Sequence, residues 1–268
     1  MKYTISEFAE LLGVTTDTLR FYEKYEIIKP FKDNKNNYRY FKDMDARNLL
    51  MSRWYRSMDI PIQKASHLTR KASLADITDT IQEKQRELEE EIRRKTMLLN
   101  RMKDISADLT QVRNNLNLCI RKNLPGIYRL RQTDKNDLLK DAALPNKVEE
   151  WMKLLPYAFF SFRINNKNIL AEDVSFDYNW GLALFESDIR KLNIKVDDST
   201  EYIKPGSYIS SIIISYGEDI KRDSLEFMFS YIIENQYTIN GNIFGRIITA
   251  ENIGTEKRFY LEVYIPVN

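Results

Sequence analysis

Thr15-Thr16-Asp17-Thr18-Leu19-Arg20-Phe21-Tyr22-Glu23, followed further on by Asn37-Tyr38-Arg39-Tyr40, decides how the first part of this chain folds. Thr15 is a natural N-cap, and the residues after it put polar, basic and aromatic side chains over two helical turns. Upstream, Ser6 caps an expected first helix with Phe8, Leu11 and Leu12 facing inward, and Gly13-Val14 makes a tight turn. Helix, glycine turn, helix is the helix-turn-helix pattern. Ile27-Ile28-Lys29-Pro30 closes the unit, since proline cannot continue a helix. The polar loop Lys32-Asp33-Asn34-Lys35-Asn36 then leads to Tyr38-Arg39-Tyr40-Phe41, which reads as a small hairpin, or wing. A short helix beside a basic loop suits a DNA groove and its flanking phosphates. Thr16 and Arg20 are expected to reach base edges, where arginine pairs best with guanine. Tyr22, Tyr38 and Arg39, with Lys64 further on, are expected at phosphates, and Leu19 and Phe21 in the core.

Beyond the wing, Asp43 is the expected N-cap of a third helix over residues 44–58, carrying Leu49, Leu50, Trp54 and Met58. Pro61 suits the first turn of a fourth, 61–71. Residues 74–119 carry a heptad pattern. One seam runs Leu74, Ile81, Leu88, Lys95, Met102, Leu109, Leu116; the other runs Ile77, Lys84, Glu91, Leu98, Ile105, Val112, Cys119. Eleven of these fourteen positions are apolar, and the span holds no glycine or proline. That predicts one long helix with a coiled-coil seam, hence a homodimer. The plainer alternative is a long helix packed on its own chain.

After Leu124-Pro125-Gly126 the pattern changes to strands: Ile127–Gln132, Tyr157–Ile164, Trp180–Glu186, Tyr208–Tyr216, Ile243–Ala250 and Arg258–Val267. Helices are expected at Asn146–Leu155 and Ser224–Asn235. The fold class expected is multidomain: a winged helix-turn-helix (1–75), a dimerisation helix (76–121) and an α+β domain with an antiparallel sheet (122–268). The pattern of the last allows two similar halves of strand, helix and two strands. In the final strand, alternation puts Phe259, Leu261, Val263 and Ile265 on one face and Tyr260, Glu262 and Tyr264 on the other. An aromatic face around a carboxylate suits a flat cationic ligand; a solvated glutamate on an open sheet face is the alternative. Tyr157, Phe160, Trp180 and Tyr208 read equally as further pocket walls or as plain core.

Charge follows this division. Residues 1–75 hold 14 Lys and Arg against 9 Asp and Glu, a surplus of five; residues 122–268 hold 18 against 21. A basic head suits phosphate, whereas an acidic tail domain does not. No apolar run approaches the ~20 residues of a membrane span, and the start shows no signal-peptide core, so the cytoplasm is expected. One cysteine, Cys119, rules out an internal disulfide and, with the single His67, falls short of a thiolate metal site. No phosphate loop, nucleophile triad or metal cluster is visible, so neither cofactor nor enzymatic activity is expected.

Tyr3-Thr4-Ile5-Ser6-Glu7, Gly13-Val14, Thr18–Glu23, Ile27-Ile28-Lys29-Pro30 and Asn37–Phe41 together closely resemble the MerR family of transcription regulators. Asn37 stands where that family usually has glycine before the Tyr-Arg of the wing. Lys204-Pro205-Gly206-Ser207-Tyr208 and Phe259–Ile265 resemble, more loosely, the GyrI-like effector domain of its multidrug-sensing members. The resemblance implies a dimer on promoter DNA with an overlong spacer, twisted into a form RNA polymerase can use when a hydrophobic, cationic effector binds. It also implies that Glu262 meets the effector's charge. A ligand-relieved repressor and a GyrI-like small-molecule hydrolase are the other readings.

Overall fold

The computed structural model describes residues 1–33, 38–166, 176–197, 200–216 and 220–268. The chain forms two compact units, residues 1–96 and 97–268.

The first unit opens with α1 (Ile5–Leu11) and α2 (Thr16–Lys24). Thr4, not Ser6, caps α1: its hydroxyl accepts from Glu7 N while the Glu7 carboxylate accepts from Thr4 N, a reciprocal box that Ser6 lacks the spacing to make. Thr15 caps α2 as expected, accepting from Thr18 N at 3.1 Å. Between them Gly13 sits at φ +62°, a left-handed turn that a side chain would strain. The wing is the antiparallel pair β1 (Phe31–Lys32) and β2 (Arg39–Tyr40); Asn37 lies outside the described residues. Phe8 stacks on Phe41 at 4.8 Å, tying wing to helix. α3 (Asp43–Arg56) and α4 (Ile62–Arg70) follow. Asp43 is already inside α3. The buried Asp45 caps it instead, accepting from Lys42 N and also from Lys29 N, both at 2.9 Å.

α5 runs from Leu74 to Asn114, started by a Ser73–Asp76 box. It stops short of the expected end. The run Asn114-Asn115-Leu116-Asn117 favours turns over helix, and Asn117 adopts φ 56°. Leu116 and Cys119 therefore leave the seam. Leu116 bridges to Ile212, and Cys119 packs on the core of the sheet, where burial pushes its thiol up to about 11.

The second unit is built on an eight-stranded antiparallel sheet. Its strands are β3 (Ile120–Leu124), β4 (Ile127–Arg131), β7 (Phe159–Ile164), β8 (Tyr178–Phe185), β9 (Glu201–Ile203), β10 (Gly206–Tyr216), β11 (Ile243–Ile253) and β12 (Glu256–Pro266). A separate small hairpin comprises β5 (Thr133–Asp134) and β6 (Asp137–Leu138). The sheet order is β3-β10-β12-β11-β7-β8-β4-β9. It is symmetric about the β11–β7 pair: β4, a helix, β7 and β8 on one side answer β10, a helix, β11 and β12 on the other. Those helices are α6 (Leu144–Met152) and α8 (Glu226–Glu234); α7 (Glu186–Leu192) follows β8. Sequence reasoning missed β3, β9 and α7, each too short or too mixed to show a period.

Alternation sorts the sheet into two faces. Phe162 and Ile164, with Leu261, Val263 and Ile265, meet Met228, Phe229 and Ile232 of α8. Leu182 and Leu184, on the same face, meet Trp151 of α6. The opposite face carries Arg129, Ser161, Arg163, Arg246, Glu262 and Tyr264. Gly245 keeps β11 close to its neighbours, since an added Cβ would run into the Phe162 ring and the Glu262 carbonyl. The architecture is thus multidomain and mixed: an N-terminal helix-turn-helix, a long helix and a C-terminal antiparallel-sheet domain.

Candidate nucleic-acid interface and ligand cavity

The two expected base-reading residues sit at the surface of α2, Thr16 half-buried and Arg20 exposed. Leu19, one position from Arg20, is fully buried and turns the helix so that this polar face is left open. Arg20 rests against Asp17 at 2.9 Å. Arg39 on the wing rests against Glu23 at 3.0 Å, and Lys64 against Glu83 at 2.7 Å. Exposed pairs of this kind contribute little to stability, so a phosphate can take any of these cations at little cost. Tyr38 is exposed beside Arg39. Tyr22 and Phe21 are placed the other way from expectation. Tyr22 is 8% exposed, in the core of the head with Leu19 and Ile27, while Phe21 is 46% exposed. The buried stripe of the helix runs through Leu19 and Tyr22, three apart, and leaves Phe21 to one side. On α3, Leu49 is buried as expected, but Leu50 and Trp54 are exposed.

In the second unit Glu262 is 2% exposed and fully engaged. Lys122 Nζ donates to it at 2.6 Å, the Arg246 guanidinium at 2.8 Å and Ser210 Oγ at 3.2 Å. Arg246 also pairs with Asp108 of α5 at 2.8 Å. An ionic chain therefore crosses from α5 through β11 and β12 to β3. Burial alone would raise the Glu262 carboxyl, but Arg246 and Lys122 outweigh it and hold it below its ordinary value. Burial opposes the Arg246 charge, and Tyr264, Glu262 and Asp108 together raise it well above the usual arginine range. Beside this chain lies a cavity of about 440 Å³. Its walls include Tyr157, Phe185, Tyr264 and Glu262, and its charges balance: Asp104, Asp108 and Asp188 with Glu262, against Arg101, Lys122, Lys191 and Arg246.

The expected effector residues thus divide among four places. Glu262, Tyr264 and Tyr157 share this cavity. Tyr208 is buried nearby, edge-on to Phe244, with its hydroxyl donating to Lys204 O. Tyr260 is further along β12, donating to Glu251 at 2.7 Å. Trp180 and Phe160 line a separate apolar cavity of about 400 Å³ with Phe259 and Leu261, on the opposite sheet face from Glu262. Sequence reasoning missed Arg246, Lys122 and Asp108. The alternation that found Glu262 runs along one strand and carries no information about which strands lie beside it.

The family model of the MerR family regulatory protein matches residues 4–41, the span of the helix-turn-helix and wing, so the head of the chain is of the MerR regulatory type. No curated protein matches. Among solved structures, a MerR family transcriptional regulator from Bacillus cereus is 19% identical, covering 41% of this chain and 84% of that one, with a TM-score of 0.34. EcmrR in its DNA complex within EcmrR-RPo is 16% identical over 99% of both chains, with a TM-score of 0.38. The EcmrR C-terminal domain is 13% identical, covering 56% of this chain and 96% of that one, with a TM-score of 0.35.

Proposed function

We propose that this chain is a dimeric, ligand-responsive transcription regulator. The observation that carries the reading is the head. A helix-turn-helix and wing of MerR type present Thr16, Arg20, Tyr38 and Arg39 at the surface, on the basic part of the chain. Thr16 and Arg20 read bases, while Tyr38, Arg39 and Lys64 hold phosphates. Tyr22 serves the core of the head. The DNA is a promoter engaged by RNA polymerase, and the regulator activates by distorting an overlong spacer.

The dimer forms through α5. Leu88, Leu98, Met102 and Leu109 of the expected seam are exposed, as are Ile92 and Leu99. An uncovered apolar stripe on a heptad seam supports pairing with a second copy. The second unit is the GyrI-like effector domain, and its ligand enters the cavity at Glu262. A cationic aromatic molecule binds there by replacing Lys122 or Arg246 at the carboxylate, exchanging one cation for another, with Tyr157 and Tyr264 as walls. Because Arg246 also holds Asp108, such an exchange loosens the ionic chain's grip on α5. Ligand affinity then differs between the chain with Asp108 held by Arg246 and the chain with it released, which is what coupling requires. Sensing is favoured over turnover because the Glu262 carboxylate is committed to Lys122, Arg246 and Ser210, and turnover of a bound ligand by the full chain would contradict it.

Calorimetry with matched cationic and neutral aromatics tests the cavity. Glu262→Gln is expected to cost cations roughly 1–3 kcal/mol of affinity, the order of a charge-assisted hydrogen bond, and neutral ligands much less. Equal losses for both classes, or none, would remove Glu262 from the site.

A further inference from the structure

A second polar cavity lies at the far end of the same sheet face, about 450 Å³ in volume, around Arg129. The Arg129 side chain is completely buried. It donates to Ser161 Oγ at 2.9 Å, to Asn179 O at 2.9 Å and to Glu201 at 3.1 Å. Those bonds leave part of the five-donor fork of a guanidinium to spare. Arg163 and Arg131 open onto the same cavity. Glu201 is shared, since Arg163 pairs with it as well. Arg131 is held by Asp134, which is two-thirds exposed at the rim. Asp177, also in the lining, is exposed. Two guanidiniums, those of Arg129 and Arg163, therefore share one carboxylate, Glu201, with Arg131 beside them engaged by Asp134.

We propose that this cavity is a binding site for a small oxyanion, a carboxylate or phosphate group carried by a small molecule. Arginine forks match both groups in bidentate geometry. A buried arginine is costly to desolvate unless charge of opposite sign compensates it. Burial first, and then the neighbouring Arg163 and Arg131, push Arg129 down to about 9, and burial and Arg131 push Arg163 down too. An oxyanion supplies the second acceptor that Arg129 and Arg163, sharing Glu201, otherwise divide between them. Arg163 and Arg131 are one-third and nearly half exposed, so they can turn toward an incoming group, while Arg129 forms a fixed floor. The site is separate from the cavity at Glu262 and shares no lining residue with it.

The test uses the full chain, with inorganic phosphate and succinate as probes in low-chloride buffer, followed by calorimetry. Saturable binding of at least one probe is expected, weakened about tenfold or more by Arg163→Gln and by Arg131→Gln. Glu201→Gln removes the competing carboxylate and is expected to tighten the same probe several-fold, a gain that a purely structural ion-pair network does not give. Which probe binds identifies the group. No saturable binding of either would overturn the proposal. So would binding that Arg163→Gln leaves intact and Arg39→Ala abolishes, since that would place the anion on the head. Melting temperatures of each variant, measured alongside, separate lost binding from lost folding. If Arg163→Gln does not fold, Glu201→Gln decides alone, by the sign of its effect.

Discussion

Glu262 shows how a single residue's surroundings change its reading. Alone on a strand it is a free carboxylate; in the fold it is the centre of a polar cluster of Lys122, Arg246, Ser210 and Tyr264. A carboxyl whose folded pKa is depressed contributes stability above its unfolded value and loses it as pH falls through the folded one. Against the ordinary value of 4.5, the melting-temperature gap between the chain and Glu262→Gln should therefore be constant from roughly pH 6 to 8 and shrink in more acidic buffer. A gap that widens toward acid would mean the carboxyl is raised, not lowered. Arg246→Met removes the partner that Glu262 and Asp108 share. Breaking a buried pair on one side typically costs about 3–5 kcal/mol, so Arg246→Met should unfold in clearly less urea. Lys122→Met, whose partner keeps Arg246, should cost less.

At the scale of elements, α5 makes the sharpest demand. Leu109→Lys places a charge on the exposed stripe at Leu98, Met102 and Leu109, where a dimer would bury it unpaired. Sedimentation of that variant should give monomer, and an unchanged dimer would contradict pairing through this helix. α5 was legible because a long span without glycine or proline leaves periodicity as the main signal. Its end was not, because heptad counting continues through Leu116 and Cys119 while the asparagines around them have already turned the chain. The same limit explains Phe21 and Tyr22. Both are large and aromatic, and only the phase of α2 against Leu19 tells which one the core takes. Wing and helix-turn-helix were legible in order and spacing, since Gly13, Thr15 and Pro30 each act through the local backbone.

Across the whole molecule, family likeness was more legible in the head, where the family model matches residues 4–41, than in the second unit. The residues proposed to meet DNA lie near one another in sequence, whereas the cavity at Glu262 draws on α5, β3, β11 and β12, which only the fold brings together. The strand symmetry explains why the sequence showed two similar patterns: the halves share a topology, and each carries a different ionic cluster on the sheet face away from α6 and α8. Arg39→Ala should lower DNA affinity for every sequence and reduce the slope of log K against log salt by about 2, because each protomer of the dimer leaves one phosphate unneutralised. Arg20→Ala should also change which sequences are preferred. Both expectations depend on the chain reading DNA as a symmetric dimer. Selection of the full chain against a library of random duplexes tests that directly. The expected result is strong enrichment of a two-fold-symmetric site, since dimer symmetry is mirrored in the half-sites, with Arg20→Ala enriching it poorly. Recovery of unrelated sequences, or of no bound DNA at moderate salt, would contradict the regulator reading at its root.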